Sequence, residues 1–461
     1  MSAQQLRLAE PCWKRLEQRW MFQEIMDTGR VTTTHMAVRM PEVLQNMTSF
    51  LPTTNLLVCT QVNAGWEVAA RNQLRARIMI DLSAECSKSY LNVMQVRSNY
   101  HQRVELSWKR EEKIIQFLPR FKHFAEQSRG KVRHVITEFF LGGRSYSEKF
   151  FKIIKSLGTQ VTSLNLKLFC EYPNKAYISR KVKNMSTFLT HFNPGQTLVF
   201  PSITKLGLNL HQVTGCDQCP LILAKFAALF PNVSTLEYIC SGGDALKFLF
   251  FTKPSPFPKL ISLRLRESGS HGHYDGQPVS PAWFTNNITR FEFNVTPQMS
   301  SCPALLQILS PVLEHLKITG LDGRRFVRWD VKDLVIPIMP NLKVFAVSRI
   351  TSIYDTSFNE GHVGVKFETE NPLGKIDYKE QFPALQVLSV KNEGETECEF
   401  ESTVQFLYYT FLPENISVCE TLQKLYFPHL PRDKVSLSWT TLVDRIVATF
   451  PNLKHMMGHI L

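Results

Sequence analysis

Two short segments hold the residue types and spacings from which chemistry is commonly built. Cys216-Asp217-Gln218-Cys219 has the spacing of half a zinc site or of a redox pair. No second Cys/His pair lies near it in sequence, so a loop is expected there. Further on, His271, His273 and Asp275 alternate, and an extended strand would bring all three to one side, a geometry able to grip a metal. That stretch is Gly-rich and follows a strand-like phrase, so a solvated insertion is expected instead. The chain contains neither a Walker lysine motif nor His-Glu-x-x-His. No catalytic residue, cofactor or metal is therefore expected, and the chain is read as a non-enzyme.

What remains is binding chemistry, and charge is its first sign. The 461 residues carry 53 Lys+Arg against 40 Asp+Glu, a formal +13 that is unevenly placed. Residues 131–200 hold 11 basic and 3 acidic side chains, whereas residues 351–420 hold 4 and 13. Such polarisation orients a partner as it approaches. Arg324, Arg325 and Arg328 beside Trp329, together with Arg180, Lys181 and Lys183, could meet phosphates and stack on bases. With no recognised nucleic-acid motif, a solvated face or an acidic protein partner is the preferred reading.

The elements that must position these groups are announced by a recurring phrase: Phe-Pro, one residue, an aliphatic, two residues, an aliphatic, one residue, an aliphatic. It is plainest at Phe200-Pro201 before Ile203, Leu206 and Leu208, at Phe257-Pro258 before Leu260, Leu263 and Leu265, and at Phe382-Pro383 before Leu385, Leu388 and Val390. Its first aliphatics, from Val132 to Leu453, lie 25 to 43 residues apart, most near 28. The last two aliphatics alternate with polar residues at strand period. Leu221 to Phe230 and Leu442 to Phe450 read as the helical returns, and proline then stops each helix and favours extended chain. Units of this kind bury their apolar faces only against their neighbours.

The phrase resembles the leucine-rich repeat, over residues 130–461 in about eleven units, with few of the Asn or Cys residues that usually follow the strand. The resemblance implies an α/β horseshoe, parallel strands on the concave side and helices outside. Side chains flanking the strand aliphatics would then meet a target: Lys205, Asn209, Arg264, Arg266, Arg290, Glu292, His315, Lys317 and Lys391.

Residues 40–80 have a different pattern. Pro41 and Glu42 suit a helix start, Val43, Leu44, Met47, Phe50 and Leu51 recur at helical spacing, and Pro52 breaks the run. Leu56, Leu57 and Cys59 follow on a second short helix, then Val62, Trp66 and a third amphipathic stretch to Leu74. So small a unit buries little by itself. This order resembles the F-box, with Met40 in place of leucine and Asn63-Ala64-Gly65 in place of the common Cys and basic residues. The resemblance implies docking on Skp1 through Pro41, Leu44, Leu51, Pro52, Leu56, Leu57, Val62 and Trp66. Followed by a leucine-rich array, it implies the substrate-recognition subunit of an SCF-type cullin–RING ubiquitin ligase, holding an unidentified target protein. The alternative is a non-degradative leucine-rich-repeat scaffold whose first helices merely cap the array.

The division expected is an N-terminal extension (1–39), the F-box (40–80), a linker or helical cap (81–129) and the array (130–461). No run near 18 apolar residues exists, so no membrane contact is expected. The first twenty residues carry charges throughout, unlike a secretory signal. Ten cysteines spread singly along the chain point to reduced thiols, hence to cytoplasm or nucleus.

Overall fold

The computed structural model describes residues 40–82, 101–106, 114–141, 144–169, 198–210, 219–240, 257–267, 287–294, 301–319, 334–349, 365–368, 376–392, 406–408, 410–412, 417–427 and 439–457. The chain divides into two compact units, Met1–Ile78 and Met79–Leu461.

The first unit contains helices α1 (Pro41–Phe50), α2 (Thr53–Cys59) and α3 (Ala64–Arg77). Pro41 opens α1 because its fixed φ and missing N–H cost nothing there, and Glu42 faces the positive end of the helix. α1 stops where Leu51 turns extended ahead of Pro52. Its free carbonyls are met by one side chain: the Arg77 guanidinium, at the end of α3, donates to the carbonyls of Thr48, Ser49 and Leu51. Asn63 caps α3, its Oδ1 accepting from Trp66 N at 3.1 Å. Leu56, Ala70 and Leu74 form the interior, with Leu51, Cys59 and Ile78 packed against them. A Cβ on Gly65 would come within 3.1 Å of Leu44 Cδ1, so the glycine lets α3 lie close to Leu44.

The second unit is built on strands β1 (Met79–Asp81), β2 (Arg103–Leu106), β3 (His134–Phe140), β4 (Ser163–Phe169), β5 (Lys205–Asn209), β6 (Thr235–Cys240), β7 (Ser262–Glu267), β8 (Arg290–Asn294), β9 (His315–Thr319), β10 (Leu334–Ile336), β11 (Val344–Arg349), β12 (Val365–Phe367), β13 (Val387–Asn392), β14 (Lys424–Tyr426) and β15 (His455–Met457). Thirteen of them pair in chain order into one sheet, every pairing parallel, while β10 and β12 pair separately. Parallel neighbours need a crossover between them, which is what the helical returns supply. α4 (Ile114–Gln127), α5 (Arg144–Ser156), α6 (Cys219–Leu229), α7 (Ser301–Leu309), α8 (Tyr378–Gln381) and α9 (Trp439–Thr449) are helices of this unit. As the phrase predicts, α6 and α9 end just before Phe230-Pro231 and Phe450-Pro451, and the next strand starts four residues after each proline.

Two devices repeated from unit to unit hold the register. At the strand entrance a single carbonyl accepts two successive amides of the next unit: Thr162 O takes Thr204 N at 2.9 Å and Lys205 N at 3.0 Å, and the same pair recurs as far as Gln423 O with Lys454 N and His455 N. Beside it, Asn232, Asn341 and Asn452 donate from Nδ2 to the carbonyls of Pro201, Pro311 and Glu420, the corresponding turn of the unit before, at 2.7–2.9 Å. The asparagine of Pro-Asn is thus a spacer between turns.

One face of the sheet is interior. Val135, Leu164, Leu206, Leu236, Leu263, Phe291, Leu316, Phe345, Leu388 and Leu425 run across it as a buried row, and Leu166, Leu208, Tyr238, Leu265, Phe293, Ile318, Val347 and Val390 make a second. The first aliphatics of the phrase are buried from Val132 to Leu422, and only Leu453, at the end of the row, is half-buried. Phe117, Phe121 and Phe124 of α4 and Phe150 and Phe151 of α5 fill the space behind β3 around Phe139, which lies 4.8 Å from Phe150 edge to face. Where β10 and β12 are inserted, buried Gln381 donates from Nε2 to the carbonyls of Ile336 and Pro337 at 3.1 and 2.6 Å, and Tyr378 donates its hydroxyl to Phe411 O at 2.7 Å.

The structure corrects the expected division in one respect. The sheet begins at Met79, with β1, β2 and α4 lying in the stretch 81–129 or at its edge, so the parallel array starts well before residue 130. Its first strands escaped notice because no aliphatic precedes Arg103-Val104-Glu105-Leu106 at the phrase spacing.

Candidate functional site

In the first unit the helical spacing separates adjacent leucines. Leu56 is 0% exposed, whereas Leu57, one residue on and about 100° around the helix, is 45% exposed. Leu44 is likewise interior. Of the residues expected to meet Skp1, Leu44 and Leu56 therefore serve the unit's own interior, a correction that follows from their burial. Leu51 and Trp66 are half-buried, and Pro41, Pro52, Leu57 and Val62 are exposed. Met40, Met47, Phe50, Val58 and Val68 add to the exposed apolar surface, and Phe50 is 82% open to solvent. Helical spacing had marked Met47 and Phe50 as apolar positions but could not say which side of α1 they lie on.

In the second unit the face opposite the buried rows is open. All nine residues expected to meet a target lie on it. Strand pairing sorts them into three rows. The first, at the strand entrances, reads Arg103, His134, Ser163, Lys205, Thr235, Ser262, Arg290, His315, Val344, Val387, Lys424, His455. The second passes through Glu105, Asn165, Gly207, Glu237, Arg264, Glu292, Lys317 and Ser389, and the third through Lys167, Asn209, Arg266 and Lys391. Arg103, Glu105, His134, Lys167, Glu237 and Lys424 were missed as candidates. Glu237 had a signal, since it follows the Leu236 of a recognised phrase; Arg103 and Glu105 had none, because their strand was not recognised.

The second row neutralises itself. Glu292 Oε1 accepts from Arg264 Nη2 at 2.7 Å and from Lys317 Nζ at 3.0 Å, while Glu237 pairs with Arg264 at 3.5 Å and with Arg266 at 3.7 Å. Lys167 reaches Glu105 across the strand between them. Burial opposes ionisation of Glu292, but the hydrogen bonds and charges of Arg264 and Lys317 outweigh it and hold the carboxyl below its usual range. Gly207 sits under Asn165: a Cβ there would lie 2.6 Å from the Asn165 amide.

The first row has no carboxylate to do the same. Burial, then the charges of Arg103, Lys205 and Arg133, push His134 below the usual imidazole range. Burial and Arg290 push His315 down as well, with Glu314 opposing and Lys343 assisting.

Among the described residues no group of three or more His, Cys, Asp or Glu side chains could hold a metal ion. Cys219 opens α6, while Cys216, His271, His273 and Asp275 lie outside the described residues, as do Arg180, Lys181, Lys183, Arg324, Arg325, Arg328 and Trp329. Among the described residues no helix is long and apolar enough to cross a membrane.

The described strands and helices define an α/β array on one long parallel sheet with a small second sheet inserted, consistent with a leucine-rich-repeat-like solenoid. Among solved structures the chain is similar to the leucine-rich repeat-containing protein LegL7 from Legionella pneumophila, at 16% identity and a TM-score of 0.34, over 60% of this chain and 87% of that one. No family model matches the chain, and no curated protein does.

Proposed function

We propose that the chain is a non-catalytic target receptor of an SCF-type cullin–RING ubiquitin ligase: residues 41–77 dock on Skp1, and the open face of the sheet holds a target protein. The observation that carries this reading is the F-box-like order from Pro41 to Trp66. It is folded as three short helices that leave Met47, Phe50, Leu57, Val58 and Val62 exposed on a unit too small to waste apolar surface. Supporting it is the sheet, whose open face offers three rows of mostly polar side chains to a partner. The receptor would act by effective concentration, turning transfer of ubiquitin to a target lysine into a near-intramolecular step.

The test is capture of purified Skp1, and then of a cullin, by the full chain. Phe50→Asp and Leu57→Asp alter exposed side chains, so they should abolish capture while leaving the circular dichroism and thermal unfolding of the chain unchanged. Absence of capture by the unaltered chain, or capture untouched by both changes, removes the F-box reading and leaves the non-degradative scaffold.

A further inference from the structure

The first row of the open face differs from the others in sign. From β2 to β9, eight neighbouring strands present there only cations, imidazoles and hydroxyls: Arg103, Lys205 and Arg290, His134 and His315, and a Ser or Thr on the remaining three. The row beside it spends its cations internally, on Glu237 and Glu292. Lys205 and Arg290 have no carboxylate on their own row to do likewise, and both are exposed; Glu314, beside the row, feels the charge of Arg290 but gives its hydrogen-bonded ion pair to Lys343 at 2.7 Å.

The spacing of the cations selects the kind of anion. Arg103, Lys205 and Arg290 stand on β2, β5 and β8, three strands apart, which at ~4.8 Å between strands is about 14 Å from one to the next. A nucleic-acid strand carries its charges several times more densely, about one per 3.4 Å of helix axis, and would bring phosphates against the half-buried Glu237 and Glu292 of the next row. The row also carries no Phe, Tyr or Trp between β2 and β9, and its two rings, the imidazoles of His134 and His315, stand six strands apart, too far to stack successive bases. An extended peptide advances about 3.3–3.6 Å per residue, so one acidic residue in about every four meets successive cations. The hydroxyls between them suit its polar groups.

From this juxtaposition we infer that the strand-entrance row from Arg103 to Arg290 is a docking track for an extended acidic peptide segment of the target, running across the strands. The inference rests on the open face being the target surface, and it names the chemical class of what binds there. The track tightens with acid. His134 faces Arg103, Lys205 and Arg133, and His315 faces Arg290, Lys343 and Glu314. Burial and these charges, all cationic but Glu314, together lower the proton affinity of both imidazoles, and a bound carboxylate that offsets the charge raises it again.

The test uses the full chain and a fluorescent oligoglutamate of about twenty residues, long enough to cross β2 to β9, with a single-stranded poly(U) of similar length as the competing polyanion. Lys205→Glu/Arg290→Glu should weaken oligoglutamate binding about tenfold or more and flatten its salt dependence. Reversal of Lys149 and Lys152 on α5 should leave binding unchanged. The milder Lys205→Gln/Arg290→Gln should weaken binding in the same direction, with thermal unfolding confirming that each variant folds. Affinity should rise from about pH 7.5 to 5.5, and His134→Gln/His315→Gln should remove that rise. Oligoglutamate binding that ignores Lys205 and Arg290, or poly(U) that binds more tightly and is lost in the same variants, overturns the proposal. Skp1 capture by the Lys205→Glu/Arg290→Glu chain should be intact, so failure of the track and failure of the ligase reading are told apart.

Discussion

Arg264 and Glu292 face each other on neighbouring strands, Nη2 to Oε1 at 2.7 Å, and Lys317 on the next strand takes the same oxygen at 3.0 Å. One carboxylate thus bridges cations contributed by segments 28 and 25 residues away in the chain. The arrangement joins three units through side chains on the exposed side of the sheet, where no apolar contact can do so.

Removing the bridge should loosen those units. Glu292→Gln is expected to cost about 1 kcal/mol, measured from the urea midpoint, and Glu292→Ala somewhat more, because Gln keeps an oxygen that Arg264 and Lys317 can donate to and Ala does not. The loss should shrink in high salt, which screens the pair that Glu292 makes and the repulsion that its removal leaves.

Leu56→Ala and Leu57→Ala should part company although the residues are adjacent. The first empties the interior of the helical unit and should destabilise it by roughly 2–5 kcal/mol, while the second removes an exposed side chain and should stay within about 1 kcal/mol. Equal losses, read by hydrogen exchange of residues 41–77, would contradict the burial.

Gly207→Ala should strain the second row. The new Cβ would lie 2.6 Å from the Asn165 amide, and displacing that side chain should cost about 1–3 kcal/mol. Asn165→Ala in the same chain should recover most of the loss, because the clash involves that side chain; additive effects of the two changes would refute a direct contact.

The array should lose stability in mild acid. His134 and His315 have folded-state pKa values below the ordinary 6.5, so below about pH 6.5 the unfolded chain binds more protons than the folded one. Their contribution is complete above pH 6.5 and is lost as pH falls through the folded values. Glu292 adds a second loss at lower pH: its folded pKa lies below the ordinary 4.5, so its contribution is present above 4.5 and disappears as pH falls through the depressed value. His134→Gln/His315→Gln should flatten the first step of a thermal midpoint–pH profile and spare the second.

Deleting residues 421–461 should make the chain aggregate. It removes β14, β15 and α9 and uncovers Leu385, Leu388 and Val390, which are fully buried, at an unpaired edge of the sheet. A monomeric truncation in analytical ultracentrifugation would be incompatible with a sheet that is continuous through β15.

Local periodicity by itself determined a good deal of this protein. The interval from Phe-Pro to the three aliphatics specified where helices stop, where strands start and which side of each strand is buried, because these depend on residues only two to four positions apart. The same alternation placed Lys205, Arg264, Glu292 and Lys317 on the open face. Tertiary structure alone decided which rows they join. Glu237, Arg264, Glu292 and Lys317 become neighbours through loops of unequal length, so no spacing in the chain shows that Arg264 is paired across two strands while Lys205 stands on a row without acids. It also decided that Leu56 turns inward and Leu57 outward, since a small helical unit has one interior, and only the packing of three helices selects which side faces it.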